Sequence, residues 1–232
     1  MEDELLEGAE GAIRVLTLNR PEKRNALSIS LRGSLAQALD RAGADHEVKA
    51  VVLAGTGTAF CAGMDRSQFG TDPRGLFDST VGMFRALDRF PKPLVAAVQG
   101  PAMGGGFYLA LSADLRVGCP ATVFGSPEIT FGVPPSWAFL RAYLGEARAR
   151  DVGLLGRTID AQGAHSSGLL SDVVGGPDKV RPAAVAVAER VLSNPEPGWR
   201  LFKELARSDR ERRLWPALDD EMEAFRRGLG LD

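Results

Sequence analysis

Cysteine and histidine are both scarce in this sequence of 232 residues, which contains two of each. Two cysteines cannot form the disulfide framework of a small secreted domain, so a reducing, cytoplasmic location is expected. Neither His46 nor His165 has a partner at the spacing of a metal site or a catalytic triad. The sequence therefore predicts no metal centre and no histidine-based catalysis.

A strong charge of either sign is also lacking. The 28 basic and 30 acidic side chains give a net charge of -2, so electrostatics gives no support for a nucleic-acid or anionic-membrane partner. The N-terminal segment MEDELLEGAE is acidic and lacks the basic start and apolar run of a signal peptide. A hydrophobic fraction of 44% with 25% charged residues is typical of a globular protein with a sizeable core.

One uncharged run, residues 93–113, has about the length needed to cross a bilayer. It is interrupted by Gln99, Gly100, Pro101 and the glycine triplet 104–106. Three glycines weaken a regular element by roughly 0.5–1 kcal/mol each relative to alanine. A short strand followed by a buried helix accounts for the run better than a membrane span.

Strand and helix signals alternate along the chain, which predicts an α/β core with a helical C-terminal part. Strands are predicted at 12–18, 49–54, 94–98, 115–117, 122–124 and 170–174. Helices are predicted from a cap at Ser28 to about 42, at 80–90, from the glycine triplet to about 114, at 180–192, and at 199–227 with proline interruptions.

Two glycine-rich turns lie between predicted strands and helices, CAGMD at 61–65 and AMGGGF at 102–107. Backbone N–H groups at a helix start lack intrahelical acceptors and suit an anion or an oxygen that becomes anionic. Two such donors directed at one carbonyl would form an oxyanion hole, although tight packing of a helix on a sheet explains the glycines equally well. A nucleotide-binding fingerprint is not supported, because Phe60 stands where its third glycine belongs.

Glu128 lies in the otherwise apolar loop FGSPEITFGVPP, at 124–135. A carboxylate in such surroundings is hydrogen-bonded, paired, or raised in pKa, and a raised pKa suits a general base working near neutral pH. The alternative is a solvated loop glutamate without a chemical role.

Four stretches together resemble the enoyl-CoA hydratase/isomerase family, the crotonases. They are LNRPEKRNALS (18–28), GTGTAFCAGMD (55–65), PLVAAVQGPAMGGGFYLALSADLRV (93–117) and FGSPEITFGVPP (124–135). The resemblance covers residues from about 10 to 195, in the family's order and spacing. It is specific because it rests on four ordered motifs.

The resemblance implies a crotonase-like spiral of ββα units in residues 1–195. Residues 196–232 would form C-terminal helices that build a homotrimer or a dimer of trimers. The implied substrate is an acyl-CoA thioester, so coenzyme A would enter as part of the substrate and no separate cofactor is expected.

The same resemblance assigns roles to individual positions. The oxyanion-hole amides fall on Met64 and Gly105, and the catalytic glutamate falls on Glu128. The positions implied to contact CoA or substrate are Lys23, Arg24, Ala26, Ala62, Asp65, Tyr108 and Pro127.

Tyr108 occupies the position of the first of two glutamates that activate water in family hydratases. A tyrosine with an ordinary pKa is protonated at neutral pH and cannot replace a carboxylate base. The favoured activity is therefore a Δ3,Δ2-enoyl-CoA isomerase type of 1,3-proton shift, with Glu128 as both base and acid.

Two alternatives remain open. One is another reaction through the same enolate: hydration, decarboxylation or thioester hydrolysis, assisted by Asp72, Tyr108 or Ser136. The other is a CoA-binding subunit without turnover. This second alternative is suggested because the family's C-terminal EG…AF…KR segment is matched only by AFRRGLGLD, in which Phe225, Arg226 and Arg227 would do part of its work.

Overall fold

The computed structural model of the chain describes residues 3–231, and nine strands lie in that range. The strands are β1 (Leu5–Glu10), β2 (Ile13–Leu18), β3 (Ala50–Gly55), β4 (Leu94–Val98), β5 (Ala102–Met103), β6 (Leu115–Gly118), β7 (Val123–Gly125), β8 (Thr158–Asp160) and β9 (Asp172–Val173). The α-helices are α1 (Ile29–Ala44), α2 (Pro73–Arg89), α3 (Gly105–Ser112), α4 (Trp137–Leu155), α5 (Ala161–Ser166), α6 (Pro177–Leu192), α7 (Glu196–Arg213) and α8 (Trp215–Gly228). Short 3-10 helices occupy Pro21–Lys23, Arg66–Gln68 and Pro127–Phe131.

The larger sheet has the order β1-β2-β3-β4-β6-β9. All its neighbouring strands are parallel except the antiparallel pair β1 and β2. Alternate side chains of β3 enter two separate apolar clusters: Val51 joins side chains of α1, α2 and α3, whereas Val52 joins side chains of α6. Because both faces are covered, its central strands β3 and β4 read as continuous apolar runs, as expected for a buried parallel sheet.

The smaller sheet has the order β5-β7-β8, and two isolated bridges extend it, Leu27 with Met64 and Cys61 with Ala102. Successive turns of the chain therefore contribute a strand to the larger sheet, a short strand or bridge to the smaller one, and then a helix. This repetition confirms the predicted α/β fold with a crotonase-like spiral of ββα units.

Most predicted elements occur, and the differences have local causes. Helix α1 has Ser28 as its N-cap, as predicted, with the side chain accepting from Leu31 N at 3.0 Å. Helix α2 begins at Pro73 rather than at 80, because the Asp72 side chain caps it and proline fits the first helical turn. The helix predicted at 199–227 is divided into α7 and α8 at Leu214.

Strand β1 was not predicted. It lies at the edge of the larger sheet, and its burial pattern is one half-buried residue followed by five exposed ones. An edge strand with so little buried surface carries no apolar alternation, so sequence periodicity gives no signal for it.

The uncharged run 93–113 forms β4, β5 and most of α3, which confirms the prediction of a strand followed by a buried helix. Among residues 3–231, no helix has the length and apolar character needed to cross a membrane.

The C-terminal helices pack against the same core as the sheet. Leu214, Trp215 and Leu218 belong to the main apolar cluster. Lys203 Nζ lies 2.5 Å from an Asp114 carboxylate oxygen, and α7 is held there by this ion pair. A division of the chain at residue 195 stays a prediction.

Candidate active site

The loop that carries the first motif is fixed by Asn25, which is fully buried in a left-handed conformation with φ 56°. Its Nδ2 donates to the carbonyls of Thr56, Ala59 and Phe60 at 2.8, 2.9 and 3.2 Å, and its Oδ1 accepts from Arg20 N at 2.9 Å. Asparagine tolerates this backbone conformation better than most residues. Asn25 belongs to the first motif, and its side-chain hydrogen bonds join that motif to the second.

Met64 is placed by backbone bonds on either side of it. Leu27 N donates to Gly63 O at 2.7 Å, and Asp65 N donates to Leu27 O at 3.2 Å. The Met64 N–H itself donates to no backbone or side-chain acceptor within residues 3–231. On the other edge of this segment, Met103 N donates to the carbonyl of residue 61 at 2.9 Å, which brings the glycine triplet alongside.

The three glycines meet different neighbours. Gly104 has φ 52°, which favours glycine, and a Cβ added there would lie 2.9 Å from Glu128 Oε1. A Cβ at Gly106 would lie 2.2 Å from the carbonyl oxygen of Cys61, which excludes any side chain. These two positions therefore require glycine for backbone conformation and close packing.

Gly105 is the first residue of α3, and its N–H has no acceptor among the described residues. A Cβ added to Gly105 would lie 3.6 Å from Met64 N, so the two unpaired amides are neighbours. The structure thus brings together the two N–H groups that the sequence placed 41 positions apart (105 − 64).

Glu128 lies in the 3-10 helix Pro127–Phe131, and its carboxylate packs against Gly104. Its Oε2 is buried without a hydrogen-bond partner among the described residues. Burial raises the pKa of Glu128, and a backbone hydrogen bond and the nearby Tyr108 hydroxyl oppose that rise only in part. The result is a carboxylate that accepts a proton more readily than an ordinary glutamate does.

Tyr108 is 7% exposed, and its hydroxyl lies near the Glu128 carboxylate. The hydroxyl accepts from Ser136 N at 2.9 Å and lies 3.0 Å from Ser126 Oγ. Burial raises the pKa of Tyr108, and the charge of Glu128 raises it further. The phenol is therefore neutral across the physiological range and can donate a proton but cannot serve as a base.

Asp65 has a partner that the sequence did not indicate. Its carboxylate lies 2.9 Å from Arg20 Nη1 and accepts from Ser67 Oγ at 2.7 Å, and Asp65 is 6% exposed. Burial raises the pKa of Asp65, but the hydrogen bonds from Ser67 and Arg20 outweigh it, so the net shift is downward. This carboxylate ties the Met64 segment to the first motif, and its predicted contact with CoA stays a prediction.

The remaining predicted binding positions border the same segment. Lys23 and Arg24 are exposed, whereas Ala26 is buried. Ala62 N donates to Arg24 O at 2.9 Å, so the main chain at Arg24 lies beside the segment that leads to Met64. Pro127 begins the 3-10 helix that carries Glu128.

Three further positions considered from the sequence have structural contacts. Asp72 caps α2 by accepting from Gly75 N at 2.9 Å. Ser136 caps α4 by accepting from Phe139 N at 3.3 Å. Phe225 packs against Phe77 of α2 with ring centroids 6.3 Å apart, so it closes α8 onto α2.

Two residues near the site were not anticipated. Arg66, after the Met64 segment, lies 4.2 Å from the ring centroid of Phe131, which follows Glu128 on its 3-10 helix. Glu221, on α8, accepts from Ser136 Oγ at 2.6 Å and from Ala138 N at 2.7 Å. Contacts across 65 and 85 positions (131 − 66 and 221 − 136) leave no local pattern in a single sequence.

Comparison with known proteins finds relatives over most of the chain. The model of the family described as "Enoyl-CoA hydratase/isomerase" matches residues 8–228. A Rhizobium meliloti protein named "Probable enoyl-CoA hydratase" is 38% identical over 227 residues, covering 95% of this chain and 88% of that protein. A Mycobacterium bovis protein named "Probable enoyl-CoA hydratase echA12" is 34% identical over 247 residues, covering 98% and 82%.

Solved structures agree in fold. The crystal structure of an enoyl-CoA hydratase/isomerase from Mycobacterium paratuberculosis superposes with a TM-score of 0.90 at 26% identity, covering 100% of this chain and 95% of that one. An enoyl-CoA hydratase/isomerase from Xanthobacter autotrophicus Py2 gives a TM-score of 0.87 at 29% identity, covering 100% and 88%. The ordered motifs, the ββα spiral and the matched length lead to one conclusion: the chain belongs to the enoyl-CoA hydratase/isomerase family.

Proposed function

We propose that this protein binds an acyl-CoA thioester and stabilises its enolate at the N–H groups of Met64 and Gly105. The proposal is supported by two adjacent amides that donate to no acceptor among residues 3–231, one of them at the start of α3. The helix dipole favours negative charge at that end. Loss of one such donor costs about 10²–10³ in rate in enzymes with an oxyanion hole.

The reaction that best fits the site is a Δ3,Δ2-enoyl-CoA isomerisation. Glu128 removes a proton from C2 of a 3-enoyl thioester, and the electrons move onto the thioester oxygen as the enolate forms. The same carboxyl group then returns the proton to C4 while the C2–C3 double bond is completed. No water is consumed, and one residue acts first as base and then as acid.

The observation that carries this choice is the neutral phenol of Tyr108 beside Glu128. Activation of water by two glutamates needs a second carboxyl group, and the protonated phenol of Tyr108 does not supply one. A 1,3-proton shift needs only Glu128.

Coenzyme A would enter as part of the substrate rather than as a cofactor. Exposed Lys23 and Arg24 beside Ala62 are suited to its phosphates, since basic side chains form strong charge-assisted hydrogen bonds to phosphate oxygens. A homotrimer or a dimer of trimers is supported by apolar residues of α7 that stand exposed, Leu201, Phe202 and Leu205.

Hydration is the second candidate, favoured by the names of the relatives rather than by the Tyr108 side chain. Incubation with 3-enoyl-CoA and with 2-enoyl-CoA, followed by mass analysis, separates the two. Isomerisation changes retention without changing mass, whereas hydration adds the mass of one water. Appearance of the hydrated product alone would overturn the isomerase proposal.

The role of Glu128 is tested by Glu128→Gln, with Glu223→Gln as the matched control, because Glu223 is exposed and pairs with Arg226 on the surface of α8. We expect a fall of about 10²–10⁴ in kcat for the first variant and no change for the second. If neither substrate turns over and calorimetric titration with acetyl-CoA shows binding, the chain is a CoA-binding subunit.

A further inference from the structure

Glu221 makes an unusual contact for a residue on the last helix of the chain. Its carboxylate accepts from Ala138 N and Ser136 Oγ, so it adds an acceptor from a different helix to the Ser136 cap of α4. Burial raises the pKa of Glu221, and hydrogen bonds from Ser136, Ala138 and Trp137 partly oppose that rise.

Ser136 connects this carboxylate to the reacting centre. While its Oγ donates to Glu221, its backbone N–H donates to the Tyr108 hydroxyl at 2.9 Å. One residue is thus bound on one side by α8 and on the other by Tyr108. Any shift of Ser136 moves the N–H that fixes the phenol oxygen.

The hydrogen-bonding capacity of Tyr108 determines where its proton points. A phenol has one O–H donor and two acceptor lone pairs. Ser136 N–H fills one lone pair, and the fully buried Ser126 hydroxyl, at 3.0 Å, can fill the other. The Tyr108 O–H is then left for the Glu128 carboxylate.

The Tyr108 hydroxyl acts to lower the pKa of Glu128 against the rise caused by burial. Glu128 Oε2 is buried without a hydrogen-bond partner among residues 3–231, so it can accept from a hydroxyl turned toward it. A short rotation of the hydroxyl therefore decides how strongly it stabilises the ionised carboxylate.

We propose that Glu221 is a positioning residue for the catalytic carboxylate, acting through Ser136 and the Tyr108 hydroxyl. The proposal rests on the proposed function, because it assumes that Glu128 is the base. On this proposal, α8 helps to position the catalytic carboxylate in addition to packing against the core.

The effect is expected on the catalytic step rather than on substrate binding. Without Glu221 the α4 N-terminus and Ser136 are less constrained, the Tyr108 hydroxyl turns away, and the ionised form of Glu128 loses a donor. The acid limb of the kcat profile then moves to higher pH, and kcat falls by about 10-fold to 100-fold, the cost of a small misplacement near a reacting centre.

The test compares Glu221→Ala and Glu221→Gln with the control Glu223→Gln. The glutamine oxygen can still accept from Ala138 N, and its amide can donate to Ser136 Oγ, so this variant is expected to restore most of kcat. Ser136→Ala keeps the backbone N–H to Tyr108 but removes the side-chain link, and it replaces Glu221→Ala if that variant fails to fold.

A measurement independent of turnover separates this proposal from the proposed function. The pKa of Glu128, followed by NMR of carbon-13-labelled glutamate carboxyls in the unliganded protein, should rise in Glu221→Ala and stay unchanged in Glu223→Gln. In a Tyr108→Phe background, Glu221→Ala should have no further effect. A raised Glu128 pKa in a protein without turnover would support the coupling while sinking the enzymatic proposal.

A purely structural role gives a different result. Glu221→Ala would then lower the melting temperature while the Glu128 pKa and the pH profile of kcat stayed those of the unmodified protein. An unchanged pKa in both Glu221→Ala and Ser136→Ala overturns the proposal.

Discussion

Alanine at Gly104 is expected to lower the stability of the fold, whereas alanine at the adjacent Gly105 is expected to lower activity and spare stability. Gly104 has a positive φ, and its Cβ would lie 2.9 Å from Glu128 Oε1. Gly105 has no positive φ, and its Cβ would lie 3.6 Å from Leu27 Cδ1, Met64 Cγ and Met64 N, an ordinary contact distance. One substitution strains the backbone, whereas the other fits the fold but places a methyl group beside the Met64 amide.

The magnitudes follow from these contacts. A non-glycine residue in a sparsely populated backbone region costs about 1–3 kcal/mol. In a chain of this length that corresponds to a fall of roughly 2–12 °C in melting temperature. Gly105→Ala should leave stability unchanged or raise it by up to about 1 kcal/mol, since alanine is the better helix former. Its activity should fall by about 10²–10³, the cost of losing one oxyanion donor.

Urea unfolding, read as a midpoint at constant slope, measures the stability of both variants. Turnover of 3-enoyl-CoA by the folded fraction measures activity. The reasoning is refuted if Gly105→Ala is the less stable variant, or if it retains full activity. Equal melting temperatures for Gly104→Ala and the unmodified protein would refute the strain argument separately.

Three further outcomes are expected. Burial raises the pKa of Glu128, so the stability that Glu128 contributes is full below its pKa in the unfolded chain and is lost as pH rises through its pKa in the folded protein. Glu128→Gln should therefore unfold at a higher urea concentration than the unmodified protein at pH 7. This difference should disappear in acid. The net pKa shift of Asp65 is downward, so Asp65 contributes stability that is lost as pH falls. Asp65→Asn should lower the free energy of unfolding at pH 7 by about 1.5–3 kcal/mol, because it weakens the bond to Arg20. Urea curves that match those of the unmodified protein would contradict this. Phe202 is 75% exposed on α7, and if it lies in a subunit interface, Phe202→Glu should reduce the mass measured by light scattering, whereas an unchanged mass places the interface elsewhere.

The sequence predicted the centre of the fold well because the informative strands are buried on both faces. Strand β4 coincides with the predicted 94–98, since all five of its residues are buried and apolar. The same logic fails for β1, which is largely exposed and depends on pairing with β2 rather than on its own composition.

The site was predictable to the extent that it is built from motifs. Met64, Gly105 and Glu128 were named from the ordered stretches, and the structure places them together. The partners of these residues were not predictable, because the Asp65–Arg20 ion pair and the Glu221 contact join side chains far apart in the chain. Such pairs depend on how helices and loops meet in three dimensions, which periodicity and propensity do not encode.

The backbone bonds around the site also bear on how its chemistry can change over evolutionary time. Main-chain bonds from Leu27 to Gly63 and Asp65 hold the Met64 amide in place, and the Asp65 carboxylate adds its bond to Arg20. A substitution of the Leu27 or Met64 side chain leaves the main-chain donors and acceptors themselves intact, whereas Gly63, with φ 92°, has no room for a side chain. A new reaction can therefore arise by exchanging the side chains around a fixed pair of amides. Under the proposed function, a single replacement at position 108 would change which protons the site can move, with no rebuilding of the scaffold.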